Sequence, residues 1–324
     1  MLGRRFTTPP EEALFVILLG QSNAAGYDVM ERLANTDYNY KGISIGYPAV
    51  RNGQDQYVSS GVVPGVKVYW KGNNPSTDQT LDNGAWADLT LGTNNCQNSG
   101  AFNGVGAELA LCTKLHDYTG KTIYLVKCAY PATGLASSIN PAGVPGNWNN
   151  TNREIFVQYF LTRALRDFRS ANPTLRPRLL CVNWWQGEHD ALNSISKAGY
   201  KVHHNTLRAY IEKEAFGQFV TTTSRRPIWN LVKLRFHETA AETNINDALT
   251  ELVSENERTC LIDCGPYPKT KELSVAQAAP IAVNIVGNNS AGRTDDNHQS
   301  RIALEAVGEF MAQNVIDAGL VTAA

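Results

Sequence analysis

Three side chains far apart in the chain have the types and spacing for chemistry: Ser22, Asp295 and His298. A serine hydroxyl is nearly inert at neutral pH unless an imidazole takes its proton, and the imidazole needs its tautomer fixed. Asp295 and His298 stand three positions apart in a predicted turn ahead of a helix. That spacing lets the carboxylate hold one ring nitrogen while the other faces a hydroxyl. Taken alone, DDNH at 295–298 is more often an Asx-type turn with a capping histidine. Ser22 also has two readings. It sits where an apolar run turns towards a helix, beside backbone N–H groups able to stabilise an anion. Equally, Ser22 and Asn23 are both favoured helix caps.

These groups need elements to bring them together. Ala13–Leu19 is a continuous apolar run, which predicts a fully buried strand, and Gly20 permits a tight exit from it. RLLCVNWW at Arg178–Trp185 predicts a second buried strand that runs straight into Gln186-Gly187-Glu188-His189-Asp190. If the sheet is parallel, residues after both strands share its carboxyl edge. Helix and strand then alternate: Ala107–Tyr118 with Thr122–Cys128, Arg153–Ser170 with Arg178–Trp184, Tyr200–Phe216 with Pro227–Leu234, and Ala241–Glu255 with Thr259–Asp263. A last helix runs from about Ser300 to Asp317. This alternation predicts right-handed crossovers and a parallel sheet covered on both faces, in the order 2-1-3-4-5. Residues 30–103 are rich in Gly, Asn, Asp and Ser and predict a mostly irregular insertion, with Val66–Trp70 as a strand or hairpin arm. A loop of that length is usually functional, here as a substrate wall. One domain over 1–324 is expected, its first 12 or so residues a linker.

Four blocks occur in a telling order: GQSNAAG at Gly20–Gly26, GVGAELA at Gly104–Ala110, WWQGEHD at Trp184–Asp190 and DDNH at Asp295–His298. With these, spanning nearly the whole chain, the sequence resembles the SGNH hydrolase superfamily. It is most similar to the branch holding the sialate O-acetylesterases and carbohydrate esterase family 6. The resemblance implies an α/β, three-layer flavodoxin-like (SGNH hydrolase) fold, with a central five-stranded parallel sheet and a long irregular insertion after the first strand. It implies Ser22 as nucleophile, His298 as general base and Asp295 as its orienting partner. The oxyanion hole would draw on Ser22, Gly106 and Gln186, with Gly104 the rival of Gly106 and loop ordering the rival role of Gln186. Gln21, Asn23, Glu188 and Tyr130 are the candidate substrate contacts. The implied activity is hydrolysis of acetyl esters on a carbohydrate through an acyl-enzyme, without metal or cofactor. The reading from another class is a carbohydrate-binding or virion adhesion protein that keeps the fold without turnover, against which the intact Ser22, Asp295 and His298 argue. Three departures bear on substrate choice rather than reaction type. Ala24 replaces a methionine, His189 a serine, and KCAYPATGL at Lys127–Leu135 stands where relatives have a Lys-x-x-x-Gly-Gly-Thr stretch.

Composition narrows the classes further. A net charge of −1 leaves no nucleic-acid footprint, and no apolar run approaches the ~20 residues needed to span a bilayer. The N-terminus imitates a signal peptide, but Glu11 and Glu12 interrupt it and no small-residue cleavage site follows. Compartment and oligomeric state stay open. Of six cysteines, Cys112, Cys128 and Cys181 read as small core residues; Cys260 and Cys264 lack the second pair of a zinc site, and Cys96 is a possible disulfide partner. His203 and His204 point about 100° apart on a helix and read as surface or cap residues. His237-Glu238 lacks the zinc-protease spacing, and His116 reads as a helix-end contact. Glu188 and Asp190 imitate a glycosidase pair, which would leave Ser22 and His298 idle. Trp70, Tyr130 and Trp148 either stack on sugar rings or pack loops to the core. The expected pocket segments, 101–106, 128–136 and 184–189, hold no aliphatic stretch for a lipid tunnel, so a short acyl group is expected.

Overall fold

Along Glu12–Gly20 the side chains alternate between two interiors. Leu14, Val16 and Leu18 pack on one side; Phe15, Ile17 and Leu19 pack on the other. A strand buried on both faces belongs inside a sheet that helices cover on each side. The computed structural model has that architecture. It describes residues 11–25, 28–29, 39–40, 43–44, 62–74, 79–82, 84–90, 104–130, 133–136, 147–149, 151–220, 225–234, 239–263, 286–288, 294–299 and 301–324. At 28–29, 39–40, 43–44, 72–74, 79–82, 104–105, 286–288, 294–299, 301–303 and 305 the description is of the backbone alone. The expected linker, most of the insertion, Cys96, Cys264 and His237-Glu238 lie outside the described residues.

In chain order, β1 (Glu12–Gly20) leads into a one-turn helix, α1 (Ser22–Ala25). Short strands β2 (Asp28–Val29), β3 (Asn39–Tyr40) and β4 (Ile43–Ser44) follow, then β5 (Val62–Asn74), β6 (Gln79–Asp82), β7 (Ala87–Thr90) and β8 (Gly104–Val105). The alternating part comprises α2 (Glu108–Thr119), β9 (Ile123–Ala129), α3 (Thr151–Glu154), α4 (Thr162–Ala171), β10 (Arg176–Trp185), α5 (Glu188–Leu192), α6 (Lys197–Glu214), β11 (Ile228–Val232), α7 (Ala240–Glu255) and β12 (Thr259–Ile262). Strands β13 (Val286–Asn288) and β14 (Thr294–Gln299) then precede α8 (Arg301–Asp317).

The main sheet runs β12-β11-β10-β1-β9-β5-β6, with β7 also paired to β5. The five expected strands take their expected order, 2-1-3-4-5, with β1 between β9 and β10. The expected strand count is corrected. A sixth parallel strand, β5, extends the sheet beyond β9, pairing Val66–Lys71 with Ile123–Cys128, and β6 and β7 add antiparallel partners. The reason lies in the alternation of VKVYW: Val66, Val68 and Trp70 join one core while Tyr69 joins the other. Part of the stretch expected to be irregular is thus sheet.

One core packs α2 and α8 on the sheet through Leu111, Leu115, Val307 and Met311; the other is filled by Phe156, Phe160, Leu165, Phe168 and the apolar sides of α6 and α7. Where α8 crosses α2 the backbones nearly touch. A Cβ on Gly308 would lie 2.1 Å from the Ala107 carbonyl oxygen, so only glycine fits there. Between α3 and α4 the helix widens to π geometry over Ile155–Leu161, and the Thr162 hydroxyl donates to the Val157 carbonyl at 3.0 Å. Two caps place helix starts more finely than periodicity did. The Ser196 hydroxyl accepts from Gly199 N ahead of α6, and Thr239 forms a capping box with Glu242 ahead of α7.

Cys112, Cys128 and Cys181 are buried, as small core residues should be. His204 corrects its surface reading. It is fully buried between Trp184 and Trp229, each ring centroid 6.0 Å away, and neither ring nitrogen has a hydrogen-bond partner.

Candidate active site

Three adjacent parallel strands end together, and backbone bonds tie their exits. Gln21 N–H donates to the Trp185 carbonyl at 3.1 Å, and Tyr130 N–H donates to the Gly20 carbonyl at 3.0 Å. Gly20 has φ 150°, and a Cβ there would sit 1.9 Å from the Trp185 oxygen. No other residue makes this exit from β1. The turn closes into α1 through Ala25 N–H to the Gln21 carbonyl at 2.8 Å. Ser22 is thereby buried at the first helical position, where its N–H has no intrahelical acceptor.

Facing it, the end of β10 enters α5 through Gly187, at φ 149°. The Asn23 side-chain amide donates to Glu188 Oε1 at 2.5 Å, which joins the GQSN and QGEHD blocks directly. Asp190 is fully buried and turned away from Ser22's helix towards another loop. It accepts from Leu135 N at 2.9 Å, from Ala136 N at 3.4 Å and from the Gln186 amide. Burial pushes the Asp190 carboxyl above its usual range, and the hydrogen bonds from Gln186, Leu135 and Ala136 pull it back.

Several of the expected site residues have partners within the protein. Gln186 donates one amide hydrogen to the Thr133 carbonyl at 3.1 Å and the other to Asp190. Both bonds fit the loop-ordering role that rivals the oxyanion role. The Gly106 N–H donates to Glu108 Oε1 at 3.1 Å and is occupied as well. Tyr130 is buried with its ring 5.7 Å from that of Trp148, and Trp70 and Trp148 are buried too. These aromatics pack the core rather than presenting a face to a sugar. Gln21 is buried beside Ser22, its side-chain oxygen without a partner.

Asp295 and His298 fall within β14, not in a free turn before α8. Pairing with β13 accounts for the difference. Val286 opposes Gln299 and Gly287 opposes Asp295, so residues 296–298 oppose nothing and form a bulge inside the ladder. Cα atoms of β14 come within 8 Å of those of α1.

Sequence reasoning missed a polar layer beneath these segments. Thr133 Oγ1 donates to the Tyr130 carbonyl at 2.6 Å and accepts from Trp148 Nε1 at 3.2 Å. The buried Tyr200 hydroxyl donates to the Gln186 carbonyl at 2.7 Å, and burial pushes its pKa well above the ordinary value. Lys127 and Glu108 form an ion pair at 2.9 Å with both side chains fully enclosed. A signal for that pair existed: a lysine in the middle of an apolar strand needs a carboxylate. Among the described residues, no group of three or more His, Cys, Asp or Glu side chains is placed to hold a metal, and no helix is long and apolar enough to cross a membrane.

A parallel α/β sheet whose central strand delivers Gly-Gln-Ser-Asn to its carboxyl edge has the architecture of an ester hydrolase. Over residues 12–220 the sequence matches the family described as carbohydrate esterase, sialic acid-specific acetylesterase, and the chain belongs to that family. It is a carboxylic ester hydrolase. Its fold is similar to that of NanS, at 14% identity and TM-score 0.52 over 96% of this chain and 98% of NanS. A protein from Arabidopsis thaliana is 14% identical over 95% of this chain and 99% of its own, with TM-score 0.49. A carbohydrate acetylesterase from Xanthomonas citri is 14% identical over 94% of this chain and 56% of its own, with TM-score 0.48. No curated protein matches the sequence.

Proposed function

We propose that this chain removes acetyl groups from an acetylated saccharide by a serine mechanism, with Ser22, His298 and Asp295 as nucleophile, general base and orienting acid. The observation that carries this reading is the approach of the β14 backbone, which bears Asp295 and His298, to within 8 Å of α1, which bears Ser22. Asp295 and His298 follow Ser22 by 273 and 276 positions, so the strand that carries the expected base lies beside the helix that carries the expected nucleophile. Family membership supports the ester chemistry and the class of substrate.

In this mechanism Ser22 Oγ attacks the acetyl carbonyl carbon while His298 takes the hydroxyl proton. The tetrahedral oxyanion is held by the Ser22 N–H at the head of α1. Gly106, with Gly104 as its rival, is the second backbone donor the reading calls on. The sugar oxygen then leaves with the proton from His298, and an acetyl-serine remains. Water, deprotonated by His298, releases acetate and restores Ser22.

Acetate release from a panel of acetylated saccharides tests the activity directly. A parallel series of p-nitrophenyl acetate, butyrate and octanoate tests the acyl site. Each buried methylene would add about 0.8 kcal/mol in an apolar tunnel, so a lipase-like site would favour octanoate. The expected order is acetate first with a steep fall by butyrate; an octanoate optimum overturns the assignment.

A further inference from the structure

Between α1 and the Gly106 turn lies a pair of charges with no access to water. Lys127 and Glu108 are both fully buried, and their ammonium and carboxylate are 2.9 Å apart. Neither end of this pair is isolated. Lys127 Nζ also donates to the Ala25 carbonyl, the last in α1, at 2.8 Å. Glu108 Oε1 accepts the Gly106 N–H at 3.1 Å. The chain of contacts therefore runs from the back of the Ser22 helix, through Lys127 and Glu108, to the turn ahead of α2.

A four-residue helix has no length to hold itself in place, since its terminal carbonyls lack intrahelical donors. At its front, α1 is fixed by Gln21 N–H on the Trp185 carbonyl. At its back, the Lys127 ammonium donates to the Ala25 carbonyl. Burying two charges gives little net stability compared with apolar residues of the same shape. What the pair does provide is a directional anchor, charged at both ends and satisfied only in one arrangement.

We infer that Lys127 and Glu108 are positioning residues for the esterase reaction, fixing α1, and with it Ser22, against the Gly106 turn. The inference rests on the reading of Ser22 as nucleophile. Neither residue touches substrate in this role; both act through the helix they hold.

The test uses the double variant Lys127→Met/Glu108→Gln, which removes both charges and keeps the side-chain volumes, alongside Lys127→Arg. Three readouts are needed: the urea midpoint, kcat and KM on p-nitrophenyl acetate, and the rate of Ser22 labelling by a fluorophosphonate, located by mass spectrometry. A displacement of about 1 Å at a catalytic group costs on the order of 100-fold in rate. The expected result is a urea midpoint close to wild type, kcat down about 100-fold with KM changed less than about threefold, and Ser22 labelling slowed in step. Lys127→Arg, which keeps the charge and a donor, should recover part of kcat. A stable double variant with wild-type kcat and labelling overturns the inference. So does a double variant that fails to fold, because the pair would then serve the fold itself. Label found on a residue other than Ser22 in the wild-type protein overturns the nucleophile reading instead, and so separates the two failures.

Discussion

Asn23 and Glu188, 165 positions apart, meet through a 2.5 Å hydrogen bond from the asparagine amide to the carboxylate. The bond fixes the turn after β1 against the helix after β10, one residue from Ser22. The other carboxylate of that segment, Asp190, is held by Leu135, Ala136 and Gln186 instead. A hydrogen bond to a charged group contributes about 1.5–3 kcal/mol. Glu188→Ala should lower stability by an amount in that range and reduce kcat, while Glu188→Gln, still an acceptor, should lose less than half as much. Urea unfolding with kinetics on p-nitrophenyl acetate checks both. An unchanged Glu188→Ala would show that the contact holds nothing.

Ser22→Ala and His298→Ala should each abolish turnover, leaving the urea midpoint near wild type. The two groups act in one proton transfer, so the double variant should be little worse than either single one. Asp295→Asn should also be severe through loss of the charge partner and the wrong imidazole tautomer. Damage from Asp296→Asn instead would move the third role along the bulge.

Gln186→Met distinguishes loop ordering from oxyanion binding. Losing an oxyanion donor costs about 100- to 1000-fold in kcat with the fold untouched. Losing the amide seen here leaves the Thr133 carbonyl and Asp190 short of a donor inside the protein, at about 1–3 kcal/mol. The expected result is a lower urea midpoint and a Thr133–Ala136 loop that exchanges its amide hydrogens faster.

His204 makes stability depend on pH. Burial, with Arg208 adding to it, lowers its pKa from 6.5 to about 3. The unfolded chain takes up a proton on this ring below pH 6.5 and the folded protein does not. This contribution is therefore complete above pH 6.5 and is lost progressively as pH falls towards 3, at about 1.4 kcal/mol per unit. His204→Leu should flatten urea midpoints measured between pH 7 and pH 4. An unchanged slope would mean that other groups set the acid sensitivity.

Much of this was legible in the sequence, for reasons that differ from element to element. Strands such as Leu14–Leu19 and Leu179–Trp184 are apolar on both faces, a pattern that only a doubly covered sheet satisfies. Gly20 and Ser22 were legible because a strand exit of this shape admits few residues. The charged and amide groups beneath were read less well. Gln186 and Asp190 bond to partners 53 and 55 positions away, and nothing local in sequence announces such pairings; Lys127 announces the need for a carboxylate but not that Glu108, 19 positions away, supplies it. VKVYW was legible as a strand from its alternation; the extent of β5, and its partners β6 and β7, were not, because they lie among turn-forming residues. β14 was read as a turn because its partner β13 has no apolar periodicity to mark it.

The contact of Gly308 with the Ala107 carbonyl sets the phase of α8. A helix free to turn about its axis would transmit no angular information to the segment before it. This one is held by the close approach at Gly308, two turns in, together with Leu304, Val307 and Met311 of its buried face, and it follows the strand bearing Asp295 and His298 in sequence. One residue inserted within the helix ahead of Gly308 would therefore turn its first two turns by about 100° against that buried face. The same insertion after Gly308 would leave that angle alone. The seat of the helix that follows the proposed base is thus set in part by a residue with no side chain at all.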